Sequence, residues 1–244
     1  MKYAFLSDIH GNAVALESVL KDIHSQNVDE IFVLGDICYR GPEPKRALQL
    51  VQELNAKVIK GNADEWVVRG VRQGEVPDHL LEIMNTERDW CVSQLDDQDL
   101  SYLEQLPTDL EITLPNGTNI YAFHATPTSL FDVVLPETDT TILSKKMMTS
   151  NEANLYIYAH IHLPYVRYFN GKCIANLGSV GLPFDGQPLS SYIIIEEKND
   201  QFVVSIQRVI YDTEKVIKQY EKVQYPNLEI MKNVVLNGTS PFGK

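Results

Sequence analysis

The chain has 244 residues, 44% of them hydrophobic, and a formal net charge of −12 from 33 acidic and 21 basic residues. That hydrophobic content supplies the core of one large domain, or of one domain with an insertion, and carries no compositional signal of disorder. The acidic balance argues against generic coating of nucleic acid, which requires a basic surface for counterion release.

Three scattered cysteines, Cys38, Cys91 and Cys173, leave one unpaired in any disulfide scheme, a pattern suited to a reducing compartment. Asp8 falls too early for a signal-peptide core, and no uncharged apolar run is long enough to span a bilayer. A cytoplasmic protein without membrane attachment is expected.

In chain order, Lys2 to Ser7 reads as a short buried strand ending in Asp8-Ile9-His10-Gly11-Asn12. Ala13 to His24 follows as an amphipathic helix. Glu30 to Leu34 is a second strand ending at Gly35-Asp36, and Pro44 to Leu54 a helix with proline in its permitted first turn. Lys57 to Lys60 is a third strand, ending in Gly61-Asn62-Ala63-Asp64. Three such units in a row imply parallel strands with helical crossovers.

Residues 65–105 read as a mostly helical, cap-like insertion that contributes no motif residue. Further strands are expected at 110–114, 118–123, 155–159, 166–169, 172–176, 191–196 and 202–209, and helices at 140–150 and 212–223. Asn116-Gly117 and Asn170-Gly171 signal hairpin turns. Residues 1–223 form the expected domain, and 224–244 read as a loosely attached tail.

Asp8, His10, Asp36, Asn62, His124, His160 and His162 each follow a predicted strand or sit at its end. Ligands of open α/β sheets bind beyond the carboxyl ends of the strands. Two carboxylates, one carboxamide and four imidazoles make a mixed nitrogen–oxygen donor set suited to zinc, manganese, iron, cobalt or nickel. Seven ligands are too many for one ion, and a carboxylate shared by two ions is the economical arrangement. Two divalent cations bring four positive charges and Asp8 and Asp36 return two, leaving roughly two for a phosphate. Arg40 could add another in a bidentate fork.

Asp8-Ile9-His10-Gly11-Asn12, Gly35-Asp36-Ile37-Cys38-Tyr39-Arg40-Gly41, Gly61-Asn62-Ala63-Asp64, His124 and His160-Ile161-His162 resemble, in order, the motif blocks of calcineurin-like metallophosphoesterases. Asn176-Leu177-Gly178-Ser179-Val180-Gly181-Leu182-Pro183 is similar to a segment of the family's small bacterial and archaeal phosphodiesterase branch. The resemblance implies a four-layer α/β/β/α sandwich of two mixed sheets. It also implies a dimetal hydrolase of small phosphodiesters or nucleotides, acting by attack of a bridging hydroxide on phosphorus. It would assign Asp8, His10 and His162 to one metal and Asn62, His124 and His160 to the other, with Asp36 bridging. Arg40, Asn12 and Asn62 would face the substrate phosphate, and Asp36, Asn62, Arg40 and His124 would be the catalytic set.

One departure is Ala63, where many family members carry a histidine thought to assist the leaving group. Asp64 beside it would be ionised at neutral pH unless its environment shifts it. Leaving groups that need little protonation are therefore expected. A diadenosine polyphosphate hydrolase, a protein Ser/Thr phosphatase and a metal-binding interaction scaffold are the competing readings. His24 and His79 read as plain surface residues, Cys38 as a buried structural thiol, and Asp96-Asp97-Gln98-Asp99 as a helix start rather than a third metal site.

Overall fold

Side-chain alternation along the strands sets the layers of this molecule. In the computed structural model, which describes residues 1–150, 152–198 and 201–240, three strand–helix units open the chain. These are β1 (Lys2–Leu6) with α1 (Ala13–Ser25), β2 (Glu30–Val33) with α2 (Pro44–Glu53), and β3 (Lys57–Val58) with α3 (Asn62–Arg69). The three strands run parallel, with Phe5 opposite Phe32 and Phe32 opposite Lys57. In α1, Leu16, Val19 and Ile23 recur at helical spacing and are buried. Asn12 caps its start, accepting from the Ala15 backbone N–H at 3.0 Å.

The third strand is shorter than the expected span. Ile59 N–H still donates to Val33, but Lys60 N–H turns away to the carbonyl of Pro107, so pairing ends at Val58. The helical stretch continues through α4 (Asp78–Ser93) and α5 (Asp97–Gln105), but its first helix begins at Asn62. Asn62 is therefore a helix N-terminal residue as well as a motif residue. At the start of α5, Asp96 accepts from the backbone of Gln98 and Asp99, the capping role expected for that acidic cluster.

The chain then builds a second sheet from β4 (Asp109–Thr113), β5 (Asn119–Phe123), β6 (Leu155–Tyr158), β7 (Tyr165–Phe169) and β8 (Lys172–Asn176), with α6 (Thr140–Met147) between β5 and β6. Asn170 and Gly171, both with positive φ (50° and 74°), turn β7 into β8. β9 (Ser190–Lys198) and β10 (Gln201–Val209) return to the first sheet, β9 antiparallel to β1. The sheet orders are β10-β9-β1-β2-β3 and β4-β5-β6-β8-β7.

Tyr3 and Phe5 of β1, Phe32 of β2, Leu155 and Ile157 of β6 and Cys173 and Ala175 of β8 meet in a core between the sheets. Their neighbours point outward: Ala4, Leu6 and Val33 face the helices of the first sheet, while Tyr156, Tyr158 and Ile174 pack with Leu143 and Met147 of α6. A period of two thus divides each strand between two cores and yields the α/β/β/α order. All three cysteines are free and buried. Among the described residues no helix is long and apolar enough to cross a membrane.

The stretch read as a loose tail is built into the fold. After α7 (Thr213–Lys222), α8 (Leu228–Asn237) buries Met231, Val234 and Val235 in the core that covers the first sheet, and Gly186 N–H donates to Gly238 at 2.8 Å. Residues 241–244 of that stretch lie outside the described residues. Met231→Ala should therefore lower unfolding free energy by about 2–5 kcal/mol, as removal of a buried methionine side chain does. Leu236→Ala, at a half-exposed position, should stay within about 0.5 kcal/mol. Chemical denaturation of both variants checks this; a near-zero effect of Met231→Ala would restore the loose tail.

Candidate metal centre

The motif side chains project from one end of both sheets. Asp8 and His10 leave β1, Asp36 leaves β2, and Asn62 starts α3 after β3; His124 leaves β5, and His160 and His162 leave β6. The turns that aim them are tight. Asp8, His10, Asp36, Arg40, His160 and His162 all have positive φ, between 50° and 74°, a region that asparagine, aspartate and histidine tolerate better than other L-residues. Each such residue costs roughly 1–3 kcal/mol unless the surroundings hold it.

The surroundings do hold them. Asp8 N–H donates to Gly35, His10 N–H to Asp36 and Gly11 N–H to Ile37, lacing the β1 exit to the β2 exit at 2.8–3.1 Å. Close approach of these loops requires glycine: a Cβ on Gly41 would lie 1.8 Å from the His10 carbonyl oxygen, and one on Gly61 2.1 Å from Asp36 Oδ1. The segment after β8 braces the other side. Ser179 Oγ donates to the Asp8 carbonyl at 2.7 Å, and Asn176 Nδ2 to the Ala159 carbonyl at 2.6 Å, just before His160.

All seven candidate ligands converge. Asp8 Oδ1 is 3.2 Å from His162 Nε2 and 3.8 Å from His10 Nε2, and the two imidazole nitrogens are 3.2 Å apart. Asp36 Oδ2 lies 3.6 Å from His10 Nε2 and 3.4 Å from His124 Nε2, so one oxygen stands between the two groups. Asn62 Oδ1 lies 2.9 Å from His124 Nε2 and 2.7 Å from His160 Nδ1. Ligand atoms of Asp8, His10 and His162 form one cluster and those of Asp8, Asp36 and His124 another, each within 4.8 Å. Asp8 thus also reaches toward the second group, a position the sequence did not assign it.

Backbone carbonyls orient the rings. His10 Nδ1 faces Tyr39 O at 2.8 Å, His124 Nδ1 faces Leu34 O at 2.6 Å, and His162 Nδ1 faces Leu182 O at 2.5 Å. Each Nδ1–H is thereby committed and each Nε2 is turned into the site, where it offers a lone pair when the ring is neutral. Phe184 also stacks on His162, with centroids 4.2 Å apart. No sequence signal marks the carbonyl partners.

This arrangement tests whether a cation fits. With Nδ1 of each ring committed to a carbonyl, the neutral tautomers of His10 and His162 turn their Nε2 lone pairs on the same point as Asp8 Oδ1, which is fully buried. A positive ion is what such a group accommodates.

The electrostatics agree. Burial and the neighbouring His162 push His10 down to about 4, and burial and His124 do the same to His160. Burial raises the Asp8 and Asp36 carboxyls, but the surrounding imidazoles outweigh it and hold both below the usual range. Burial works against a charge on His124, yet the Asp36 carboxylate raises it to about 9.

Two expected substrate contacts come out differently. Asn12 uses both polar ends inside the fold, its oxygen capping α1 and its Nδ2 donating to Gly181 O at 3.0 Å. The side chain is buried and does not line the cavity beside the metal centre. Arg40 does line that cavity, but its Nε lies 3.0 Å from Glu87 Oε2 of α4 and its Nη2 3.5 Å from Oε1. Burial disfavours the Arg40 charge, but Glu87 outweighs burial and raises its pKa. The helical insertion therefore contributes Glu87, which no motif marked.

Asp64 is also accounted for. Its carboxylate accepts from the backbone of Asp36, Ile37 and Gly61 at 2.7–2.9 Å and is fully buried. It ties the β2 exit to α3. Burial and the nearby Asp36 raise its pKa to about 7 against these three donors. His24 and His79 are exposed and stand apart from the site.

Beside the clustered ligands lies a cavity of about 950 Å³, walled by side chains such as Trp66, Leu80, Met84 and Phe131 from the helical insertion and the loop after β5.

Comparison with known proteins agrees with this geometry. The model of the calcineurin-like phosphoesterase superfamily domain matches residues 1–200. An uncharacterized protein of Methanocaldococcus jannaschii is 30% identical over 240 residues, covering 91% of this chain and 93% of its own length. The phosphodiesterase YfcE of Escherichia coli is 26% identical over 220 residues, covering 84% and 96%. The crystal structure of a metallophosphoesterase from Sphaerobacter thermophilus superposes with a TM-score of 0.79 at 26% identity, covering 98% of this chain and 100% of that one. Proteins of this superfamily use a dimetal centre, and the buried aspartates and histidines here could bind metal. With the family model matched over most of its length and acceptor groups gathered at the strand ends, the chain belongs to the calcineurin-like phosphoesterase superfamily and is a hydrolase of phosphoric esters.

Proposed function

We propose that the chain is a dimetal phosphodiesterase acting on small phosphodiesters or nucleotides. The observation that carries this reading is the opposition of His10 Nε2 and His162 Nε2 at 3.2 Å beside the buried Asp8 Oδ1. With both Nδ1 protons committed to carbonyl oxygens, the neutral rings aim two lone pairs and a carboxylate oxygen at one point, which suits a cation. Asp8, His10 and His162 would hold one ion, Asn62, His124 and His160 the second, and Asp36 Oδ2, placed between the groups, would serve both.

Two divalent cations bound there supply Lewis acidity toward phosphoryl oxygens and a water ionised at neutral pH. The chain's own groups do the rest. Tyr39, Leu34 and Leu182 carbonyls lock the imidazole tautomers, and the Asp64 carboxylate fixes the turn that presents Asp36. Trp66 and Phe131 exclude water from one side of the cavity. Ala63 offers no proton, and Asp64 is withheld from the cavity by its three backbone donors, so neither assists a departing alkoxide. That favours esters of acidic alcohols.

Protein stripped by chelator should lose hydrolysis of bis(p-nitrophenyl) phosphate and regain it with manganese, zinc, iron, cobalt or nickel. Asp36→Asn should drop metal content from two ions toward none, whereas His10→Ala should keep about one. Two ions retained by Asp36→Asn would refute the shared carboxylate, and activity unaffected by metal removal would refute the function.

Metal binding should also release protons. His124, held at about 9 by Asp36, is protonated at neutral pH in the metal-free protein and must give up that proton to become a ligand. His10 and His160, at about 4, are already neutral. Calorimetric titration of metal in buffers of different ionisation enthalpy should therefore report about two protons released per chain near neutral pH, one from His124 and one from the water that the cations ionise, with affinity rising as pH increases toward 9. Release of none would contradict this assignment.

A further inference from the structure

The cavity beside the ligand cluster is large enough for a nucleotide-sized molecule, yet it is poor in cations. Among the described residues lining it, Arg40 is the only lysine or arginine. Its guanidinium lies against Glu87, which sits behind the wall and is 1% exposed. Of the lining carboxylates outside the ligand set, Glu75 is engaged by Arg69 at 2.6 Å and by Trp66 Nε1 at 3.0 Å, while Glu137 is exposed. Beyond the ligand set, Tyr39 and the hydroxyl residues Thr239 and Ser240, the remainder of the wall is apolar or aromatic, with Val133 and Leu135 open to solvent at its rim.

Charge arithmetic then limits what the site takes. Two divalent ions less Asp8 and Asp36 leave roughly two positive charges. An ionised water nucleophile uses one and a singly charged ester the other. Each further negative charge on the substrate needs a cation from the wall, and the wall's one arginine is already balanced by Glu87.

We propose that Glu87 sets the charge class of the substrate: by ion-pairing Arg40 behind the cavity wall, it makes the site select monoanionic phosphodiesters with an apolar ester group over dianionic monoesters and polyphosphates. The inference rests on the proposed dimetal function and narrows it. Glu87 is a specificity-determining residue that acts through Arg40, and it touches no reacting atom. Trp66 and Phe131, whose rings are 5.7 Å apart, supply the surface for the apolar group.

The test is equilibrium binding to the metal-loaded full-length protein in mildly alkaline buffer. Phenylphosphonate, there a dianion, and its monomethyl ester, a monoanion, share a phenyl group and differ by one charge. Calorimetry on the unmodified protein should give at least ~10-fold tighter binding of the ester, the scale of one uncompensated charge near the site. In Glu87→Gln, which keeps the side-chain shape and releases the Arg40 charge, the dianion should tighten by about tenfold and the ester by about threefold or less. Equal binding of both probes by the unmodified protein, preference for the dianion, or equal loosening of both in Glu87→Gln would overturn the proposal. If Glu87→Gln fails to fold, the double variant Arg40→Gln/Glu87→Gln, which removes both charges of the pair, should keep the ester preference of the unmodified protein, and loss of that preference would overturn the proposal. Hydrolysis of bis(p-nitrophenyl) phosphate run in parallel separates the two readings. Hydrolysis with equal probe affinities removes this inference alone, and no hydrolysis by metal-loaded protein removes the proposed function and this inference with it.

Discussion

Carboxylate and imidazole atoms held against one another are the constraint on which the site depends. Asp8 Oδ1, His10 Nε2 and His162 Nε2 lie within 3.2–3.8 Å of one another, on side chains that are all buried. Each ring is held from behind by a carbonyl oxygen, and each backbone turn is laced to its neighbour. The rest of the fold supplies that restraint.

That restraint comes from the two sheets meeting face to face. The inter-sheet core fixes the β1 and β2 exits against those of β5 and β6, and Phe5 stacked on Phe32 at 4.5 Å lies in that core. Residues in left-handed conformations can then be tolerated at the rim, since the hydrogen bonds of Asp8, His10 and Gly11 to the β2 exit outweigh the local strain. Glycines at 41 and 61 let the loops approach within contact distance. Ser179 and Asn176 close the ring from the far side.

Much of this is visible in the amino-acid order, for a physical reason. Strand exits are local: an apolar run followed by aspartate, histidine or asparagine announces both the strand and the direction of its last side chain. The unbroken apolar runs of β1, β6 and β9 likewise reveal that both faces are buried. What escapes is everything decided by contacts distant in sequence. The carbonyls of Leu34, Tyr39 and Leu182 carry no side-chain signature, yet they choose the ring tautomers. Arg40 reads as a phosphate-binding residue until the helical insertion brings Glu87 against it, 47 residues later. Asn12 reads as a substrate contact from its motif, whereas its helix-capping geometry claims both polar ends. The helix at 228–237 reads as a tail because its buried face, Met231, Val234 and Val235, finds its partners on elements far upstream.

The account's central claim is that two cations occupy the cage at the strand ends. Diffraction recorded across a metal absorption edge, on crystals grown with manganese or zinc, tests it most directly. The account predicts two anomalous peaks, each about 2.0–2.2 Å from its nitrogen and oxygen ligands, with a carboxylate oxygen of Asp36 shared between them. A single peak, or none with His10 and His162 still face to face, would contradict it.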